Sequence, residues 1–256
     1  MTTISRTWLE DRAEELKAVL AFSSRLPLPR AMPQAGGVIA KAAWAFPVAG
    51  LAIGVIGAAV YVLAHRLGLP PWPAAALSVA ATLAITGCLH EDGLADTVDG
   101  FGGGKTREQK LEIMRDSRTG AYGVCALILS LLLRVSALAS FGDTHLVVWA
   151  LIASHSAARA AMPVFMWLLP PARSDGLSFE AGRPPGESAA VAAAIAFVVL
   201  LFCLHPGRGV MTSIVLMIAV ALMAWLSTRQ IEGQTGDVLG ALEQVSEILV
   251  LLAALA

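Results

Sequence analysis

The sequence predicts an all-α, polytopic integral membrane protein. It should have about seven transmembrane helices and an interfacial helix at its N-terminal end. Three observations predict this. Hydrophobic residues make up 57% of the 256 positions and charged residues only 14%, against about 25% charged in an average soluble domain. A soluble core of this size cannot hide so much apolar surface, which excludes an ordinary cytosolic enzyme and a disordered chain. Apolar runs near the ~20-residue length of a membrane-spanning helix recur along the chain, without the alternating pattern of a membrane β-barrel. Finally, the basic residues are distributed unevenly between the polar segments.

The first element is a stretch over residues 6–24 in which Trp8, Leu9, Leu16, Val19, Leu20 and Phe22 mix with Glu10, Asp11, Glu14, Glu15 and Lys17. This mixture reads as an amphipathic helix lying at the membrane surface. Arg25-Leu-Pro-Leu-Pro-Arg30 ends it, because its prolines force an extended turn. The Met1–Arg12 segment lacks the basic, apolar and small-residue order of a cleaved signal peptide. Seven spans follow: Val38–Ala64, Pro73–Leu89, Ala121–Ser140, Leu146–Leu169, Ser188–Leu204, Val210–Leu226 and Val238–Leu255.

With the N-terminus placed in the cytoplasm, the inner segments 1–41, 90–120, 170–187 and 227–237 carry 14 of the 18 Lys and Arg residues. The outer segments carry only Arg66 and Arg208, while Arg134 and Arg159 fall within spans. This is a strong positive-inside bias, and it places every long polar loop on the cytoplasmic side. No internal repeat or linker divides the chain, so one catalytic domain over residues 1–256 is expected. The net charge of −1 gives no reason to expect a nucleic-acid partner. Cys88, Cys125 and Cys203 stand far apart in apolar stretches and read as small buried hydrophobes, not as a zinc or disulfide framework.

The chemistry concentrates after the second span, in His90-Glu91-Asp92-Gly93-Leu94-Ala95-Asp96-Thr97-Val98-Asp99-Gly100. Asp92, Asp96 and Asp99 are spaced i, i+4, i+7 and share one helix face. Carboxylates stacked in this way repel each other unless a cation holds them, and an all-oxygen set suits Mg²⁺ or Mn²⁺. The simpler alternative is a solvated helix end. Three acids in register beside a membrane favour the metal. Glu91 points away from this face. His90 is a candidate for binding phosphate or orienting the acids, with a purely structural hydrogen bond as the alternative. Gly100-Phe-Gly-Gly-Gly104 reads equally as a hinge or as a phosphate cradle.

Thr106-Arg-Glu-Gln109 is a capping box that starts a short helix. The helix ends at Arg115-Asp116-Ser117-Arg118, where Asp116 adds a fourth carboxylate and Arg115 and Arg118 offer phosphate-binding guanidiniums. Within the fourth span, His155 and Arg159 stand at i, i+4. An arginine there is costly, and anion binding is favoured over pairing with an acid. Asp237, before the last span, either reaches the metal site or caps the helix. Acids, arginines and glycines together describe a metal–diphosphate site.

The runs HEDGLADTVDG (90–100), EIMRDSRTGAYG (112–123) and GQTGDVLGA (233–241), with RLPLPR (25–30), closely resemble the bacterial cobalamin synthases, the adenosylcobinamide-GDP ribazoletransferases. The resemblance runs through almost the whole chain in the expected order. It implies a multi-pass enzyme of the bacterial inner membrane that requires Mg²⁺ and whose active site faces the cytoplasm. It also implies that adenosylcobinamide-GDP is joined to α-ribazole, or to α-ribazole 5′-phosphate, with release of GMP. The family's motif acids fall on Asp92, Asp96, Asp99 and Asp116 as metal ligands and catalytic groups. His90, Arg115, Arg118, Arg159 and Asp237 are the companion substrate-binding candidates. Glu91 departs from the apolar residue usual after the histidine. The segment 170–187 carries no motif, and self-association is left open.

Two rivals remain at this point. A different metal–diphosphate transferase, of prenyl or CDP-alcohol type, would carry its acids in a different spacing. A cation transporter would place acids at mid-span within inverted repeats.

Overall fold

A computed structural model describes residues 6–27 and 37–256. Leu28, Pro29 and Arg30 of the 25–30 turn lie outside the described residues, as do Met1 to Ser5. The interfacial helix α1 covers Arg6–Ser23. The first span is made of α2 (Val38–Lys41), a 3-10 turn (Ala42–Ala45) and α3 (Phe46–Arg66). Then come α4 (Pro71–Thr86), α5 (Leu89–Gly103) and α6 (Arg107–Ile113). They are followed by α7 (Ala121–Ala139), α8 (Thr144–Leu168) and the short α9 (Leu177–Ala181). The chain closes with α10 (Gly186–Cys203), α11 (Pro206–Ile231) and α12 (Gly236–Leu255).

The protein is an all-α polytopic membrane protein. Six stretches of helix are long and apolar enough to cross a bilayer; α4 and α5, bent by 89° at their junction, add a seventh if the pair counts as one span. The second span therefore ends at Thr86 and not at Leu89. Gly87 (φ 65) and Cys88 (φ 58) both adopt the left-handed conformation, which breaks the helix without a proline and sends α5 off sharply. The sixth span runs past Leu226 to Ile231, because Ile231 is fully buried and the Arg229 guanidinium lies over the Trp225 ring at 5.2 Å.

Helix α8 is the central post, packed against α3, α10 and α12. Its partners come close because small residues face it. A Cβ on Gly54 would lie 2.6 Å from the Leu151 carbonyl oxygen, and one on Gly50 would strike the His155 carbonyl. Small residues at such crossings let helix backbones approach where no water-driven force assembles them. The outer helices turn large apolar side chains outward toward lipid, among them Ile128, Leu129 and Leu132 of α7, Phe197 and Phe202 of α10, and Met217 and Leu222 of α11.

Two apolar cores stack along the bundle. One joins Val19 and Phe46 to Leu111, Phe165, Ile231 and Leu242, and the other joins Tyr61 and Val79 to Leu138, Leu151, Leu200 and Val250. On α12, the polar turn from Glu243 to Glu247 sits between Leu242 of the first core and Val250 of the second. The cysteines are free, and Cys88 and Cys125 are exposed, contrary to the buried reading. Cys125 lies on a span that faces outward, and Cys88 lies on the surface of the helix break.

The α3–α8 crossing carries the first prediction. Gly54→Val should lower the unfolding free energy in detergent by about 1–3 kcal/mol, the usual cost of overpacking. Gly207→Ala, where a Cβ meets open space, is the control and should leave the thermal midpoint nearly unchanged.

Candidate active site

The acid-bearing stretch forms α5, and α5 packs on α12 through glycines. A Cβ on Gly93 would come within 2.8 Å of the Asp237 carbonyl oxygen, and one on Gly240 within 3.1 Å of the His90 carbonyl oxygen. This approach sets Asp92 and Asp96 beside Asp237 at the start of α12. The first turn of α12 is capped by Thr235, whose hydroxyl accepts from the Val238 N–H and donates to Asp237 Oδ2 at 3.1 Å. Asp237 is thus freed from the capping role and faces α5.

Beside Asp92 and Asp237 lies a chamber of about 240 Å³. Its walls include Phe22, His90, Asp92, Met162, Arg173, Ser178 and Asp237. Asp96 feels the charge of Asp92, Asp237 and Asp99, with Arg173 as the opposing cation. Among the described residues neither the Asp92 nor the Asp96 carboxylate has an ion pair or a side-chain hydrogen bond. Arg173 reaches Asp237 Oδ2 at 3.3 Å and Asp175 at 3.5 Å. Its Nη1 is buried without a partner, so a cationic donor remains for a ligand.

Sequence reasoning passed over Arg173 and Ser178, which lie in the motif-free segment 170–187. A short cross-strand contact holds this segment in place. The Ala172 N–H donates to the Gln234 carbonyl at 2.7 Å, and the Gln234 N–H donates to the Pro170 carbonyl at 2.9 Å. Ser178 donates to the Gln234 side chain at 2.6 Å, and Arg107 donates to the carbonyls of Ile231 and Ala172. The available signal was two arginines, Arg173 and Arg183, in a short loop between two spans.

The other expected ligands are differently employed. Asp99 is buried and accepts from the Gly120 N–H at 2.6 Å and the Gly123 N–H at 2.9 Å. It therefore caps α7 from a neighbouring helix, as its position two turns beyond Asp92 allows. Asp116 pairs with Arg118 at 2.6 Å on the surface. Hydrogen bonds from the Arg118 guanidinium and N–H hold the Asp116 carboxyl down at about 2. The pair thus persists above the ordinary carboxylate range and is lost only as pH falls through about 2. Arg115 forms a two-pronged pair with Asp175, both contacts at 2.8 Å, and Asp175 in turn meets Arg173. The glycines Gly100 to Gly103 are helical, so only Gly104 of that run is extended, and the cradle reading gives way to a helix end. The Thr106–Gln109 capping box is present as expected.

Arg159 is a correction. Its anion is supplied by the protein. Arg159 Nη1 lies 2.6 Å from Glu243 Oε1 and 3.0 Å from His155 Nδ1, all buried, and it does not line the chamber. Glu243 stands nearly two turns beyond Asp237 on α12, which brings it against α8. Beside this pair, Arg134 of α7 meets Glu91 at 3.1 Å and Glu247 at 3.5 Å, and His155 meets Glu247 at 3.5 Å. Gln244 donates to Glu91 and Glu243 at 3.0 Å and accepts from Ser130. His90 joins through Glu243 at 3.6 Å while also lining the chamber. Glu91 is thus directed away from Asp92, as its position predicts.

Among the described residues, only His155, Glu243 and Glu247 bring three ligand atoms within 4.8 Å of one another. Two guanidiniums already contact those carboxylates, so this cluster is an ion-pair network. Asp92, Asp96 and Asp237 stand wider apart, as carboxylates do when water and substrate oxygens complete a Mg²⁺ shell. Unpaired carboxylates and a free arginine donor fit that group.

A membrane-embedded helical bundle with acids and arginine around a chamber at one end is the layout of an integral membrane transferase. The chain belongs to the cobalamin-5-phosphate synthase family, which it matches over residues 15–255. Relatives carry the name adenosylcobinamide-GDP ribazoletransferase. One from Bradyrhizobium diazoefficiens is 57% identical over 242 residues, covering 94% of this chain and 93% of its own. Others from Mesorhizobium japonicum and Azorhizobium caulinodans are 51% and 45% identical, each over 94% of this chain and 92% and 95% of their own. No solved structure matches the chain.

The buried network carries the second prediction. Arg159→Met leaves Glu243 as an uncompensated buried charge and should destabilise by about 3–5 kcal/mol. Adding Glu243→Gln should recover most of that loss, as read from unfolding in detergent. A double variant as unstable as the single one would exclude pairing as the role of Arg159.

Proposed function

We propose that the chain joins adenosylcobinamide-GDP to α-ribazole or its 5′-phosphate, with release of GMP. The observation that carries this reading is the pair of carboxylates on Asp92 and Asp96, left without cations beside Asp237 and the buried free donor of Arg173. Such a chamber suits a diphosphate and its metal better than a neutral substrate.

In this reading an acceptor hydroxyl attacks the phosphorus that bears the cobinamide. The bond from that phosphorus to the GMP oxygen breaks, and the hydroxyl proton passes to a chamber carboxylate. The acceptor's 5′-phosphate is retained in the product, so it is not the nucleophile. Mg²⁺ held by Asp92, Asp96 and Asp237 would neutralise the diphosphate and stabilise the departing GMP. Arg173 supplies a planar donor for a phosphate oxygen. Asp99 anchors α5 to the start of α7, and the Arg115–Asp175–Arg173 chain ties the surface loop to the chamber. The two serines in the wall, Ser23 and Ser178, donate their hydroxyls to the Val19 carbonyl and the Gln234 side chain instead of to a base, which favours direct displacement. The basic asymmetry supports a chamber at the cytoplasmic face of the bacterial inner membrane.

Two tests follow. Purified protein should release GMP from adenosylcobinamide-GDP with either acceptor, lose activity on chelation and regain it with Mg²⁺. Asp96→Asn should lower turnover at least about a thousandfold while the thermal midpoint holds; near-normal turnover would remove the metal from this site. For topology, Lys105→Cys in a background lacking Cys88, Cys125 and Cys203 should react with an impermeant thiol reagent only from the cytoplasmic side. Labelling of sealed cells from outside would reverse the orientation.

A further inference from the structure

The chamber at Asp237 is not alone. A second chamber, of about 550 Å³, opens at the α4–α5 break and is lined by Ser24, Arg25, Thr86, Cys88 and Asp92. Phe22, Leu89 and Asp92 line both spaces, so the two meet at one wall. Their chemistry differs. In the first, Asp92 and Asp237 outnumber Arg173; in the second, Asp92 is the one carboxylate among the lining residues. The second holds the guanidinium of Arg25, and among the described residues that guanidinium has no hydrogen bond or ion pair.

The position of Arg25 is built. Its main-chain N–H donates to the Ile85 carbonyl at 2.6 Å, and its side chain lies across Gly87, where a Cβ would meet Nε at 2.5 Å. The left-handed Gly87 and Cys88 turn the chain so that the first turn of α5, with its N–H groups and the Asp92 carboxylate, opens on the same space. A volume of about 550 Å³ falls within the roughly 300–1,000 Å³ of small-molecule sites, whereas the first chamber is smaller.

We propose that this second chamber is the acceptor subsite, and that Arg25 binds the terminal phosphate of a nucleoside 5′-phosphate there. The inference rests on the transferase reading above and adds to it the place of the acceptor and the residue that reads its phosphate. A two-substrate displacement needs donor and acceptor on opposite sides of the reacting phosphorus. Two chambers that share the wall at Asp92 supply that arrangement. The single guanidinium matches one terminal phosphate, while the corrinoid donor brings its diphosphate to the acid chamber.

The test compares acceptors. With wild-type protein, kcat/KM should favour α-ribazole 5′-phosphate over α-ribazole. Arg25→Gln should erase that preference, lowering discrimination tenfold or more through KM for the phosphorylated acceptor, and Arg25→Lys should restore part of it. The Arg25 side chain is exposed, so folding does not depend on it. A loss falling equally on both acceptors, or on KM for adenosylcobinamide-GDP, would overturn the assignment.

Cys88 gives a second readout that needs no turnover. Alkylation of its exposed thiol, followed by peptide mass spectrometry, should be slowed by α-ribazole 5′-phosphate alone and not by GDP with Mg²⁺. Protection by GDP and not by the acceptor would place the donor in this chamber and overturn the proposal. If the acceptor protects Cys88 while wild-type protein forms no product from the two substrates, the subsite stands and the transferase reading fails.

Discussion

Everything in this bundle depends on how charges are buried between α5, α7, α8 and α12. Glu91, Glu243 and Glu247 contribute three carboxylates and Arg134 and Arg159 two guanidiniums, all at depth. Removing any of these ions from water costs several kcal/mol, and only close pairing offsets it. The pairing is therefore obligatory, and it fixes the helices in one arrangement. Such a network adds little net stability compared with apolar packing, but it defines a single register. Glu91 precedes Asp92 on α5, and Glu243 follows Asp237 on α12 by six positions. Fixing Glu91 to Arg134 and Glu243 to Arg159 therefore also fixes the two acids of the chamber.

Glycine contacts complete the same constraint at the other end of the helix pair. Gly93 and Gly240 let α5 and α12 touch backbone to backbone, so Asp92 and Asp237 face a common space instead of being held apart by side chains. The Asp99 carboxylate then ties α5 to the start of α7 through the N–H groups of Gly120 and Gly123. Three unlike interactions, an ion-pair network, a small-residue crossing and a helix cap, hold one helix. That helix carries the acids that have no partner of their own.

Much of this was legible in the residues. Long apolar runs mark the spans because a bilayer demands a fixed length, and the Thr106–Gln109 capping box is a local signal that needs no tertiary context. The i, i+4, i+7 acids announce a face, and Glu91 falls off it by simple geometry. What could not be read is long-range. Asp99 looks like Asp92 and Asp96 in sequence, but the N-terminus of α7 happens to stand beside it and takes it as a cap. Arg159 looks like an anion site until Glu243, 84 positions later in the numbering, arrives against it. Arg173 lies in a segment without any motif, and its position depends on the Gln234 contact. The α4–α5 break escaped because Gly87 gives a weak local signal and Cys88 adopts a left-handed conformation that no residue preference favours.

That break explains how a row of acids without cations can be built into a membrane bundle at all. An uninterrupted second span would carry the acids of α5 onward along the bilayer normal, where carboxylates without cations are prohibitively costly. The 89° turn instead packs α5 against α12 and α7. The same turn leaves a space on each side of Asp92, one walled by α12 and α9 and the other by α1 and the break itself. Left-handed backbone at a non-glycine residue costs of order 1–3 kcal/mol and persists only where its surroundings impose it. Here its result is a carboxylate, Asp92, that borders both spaces.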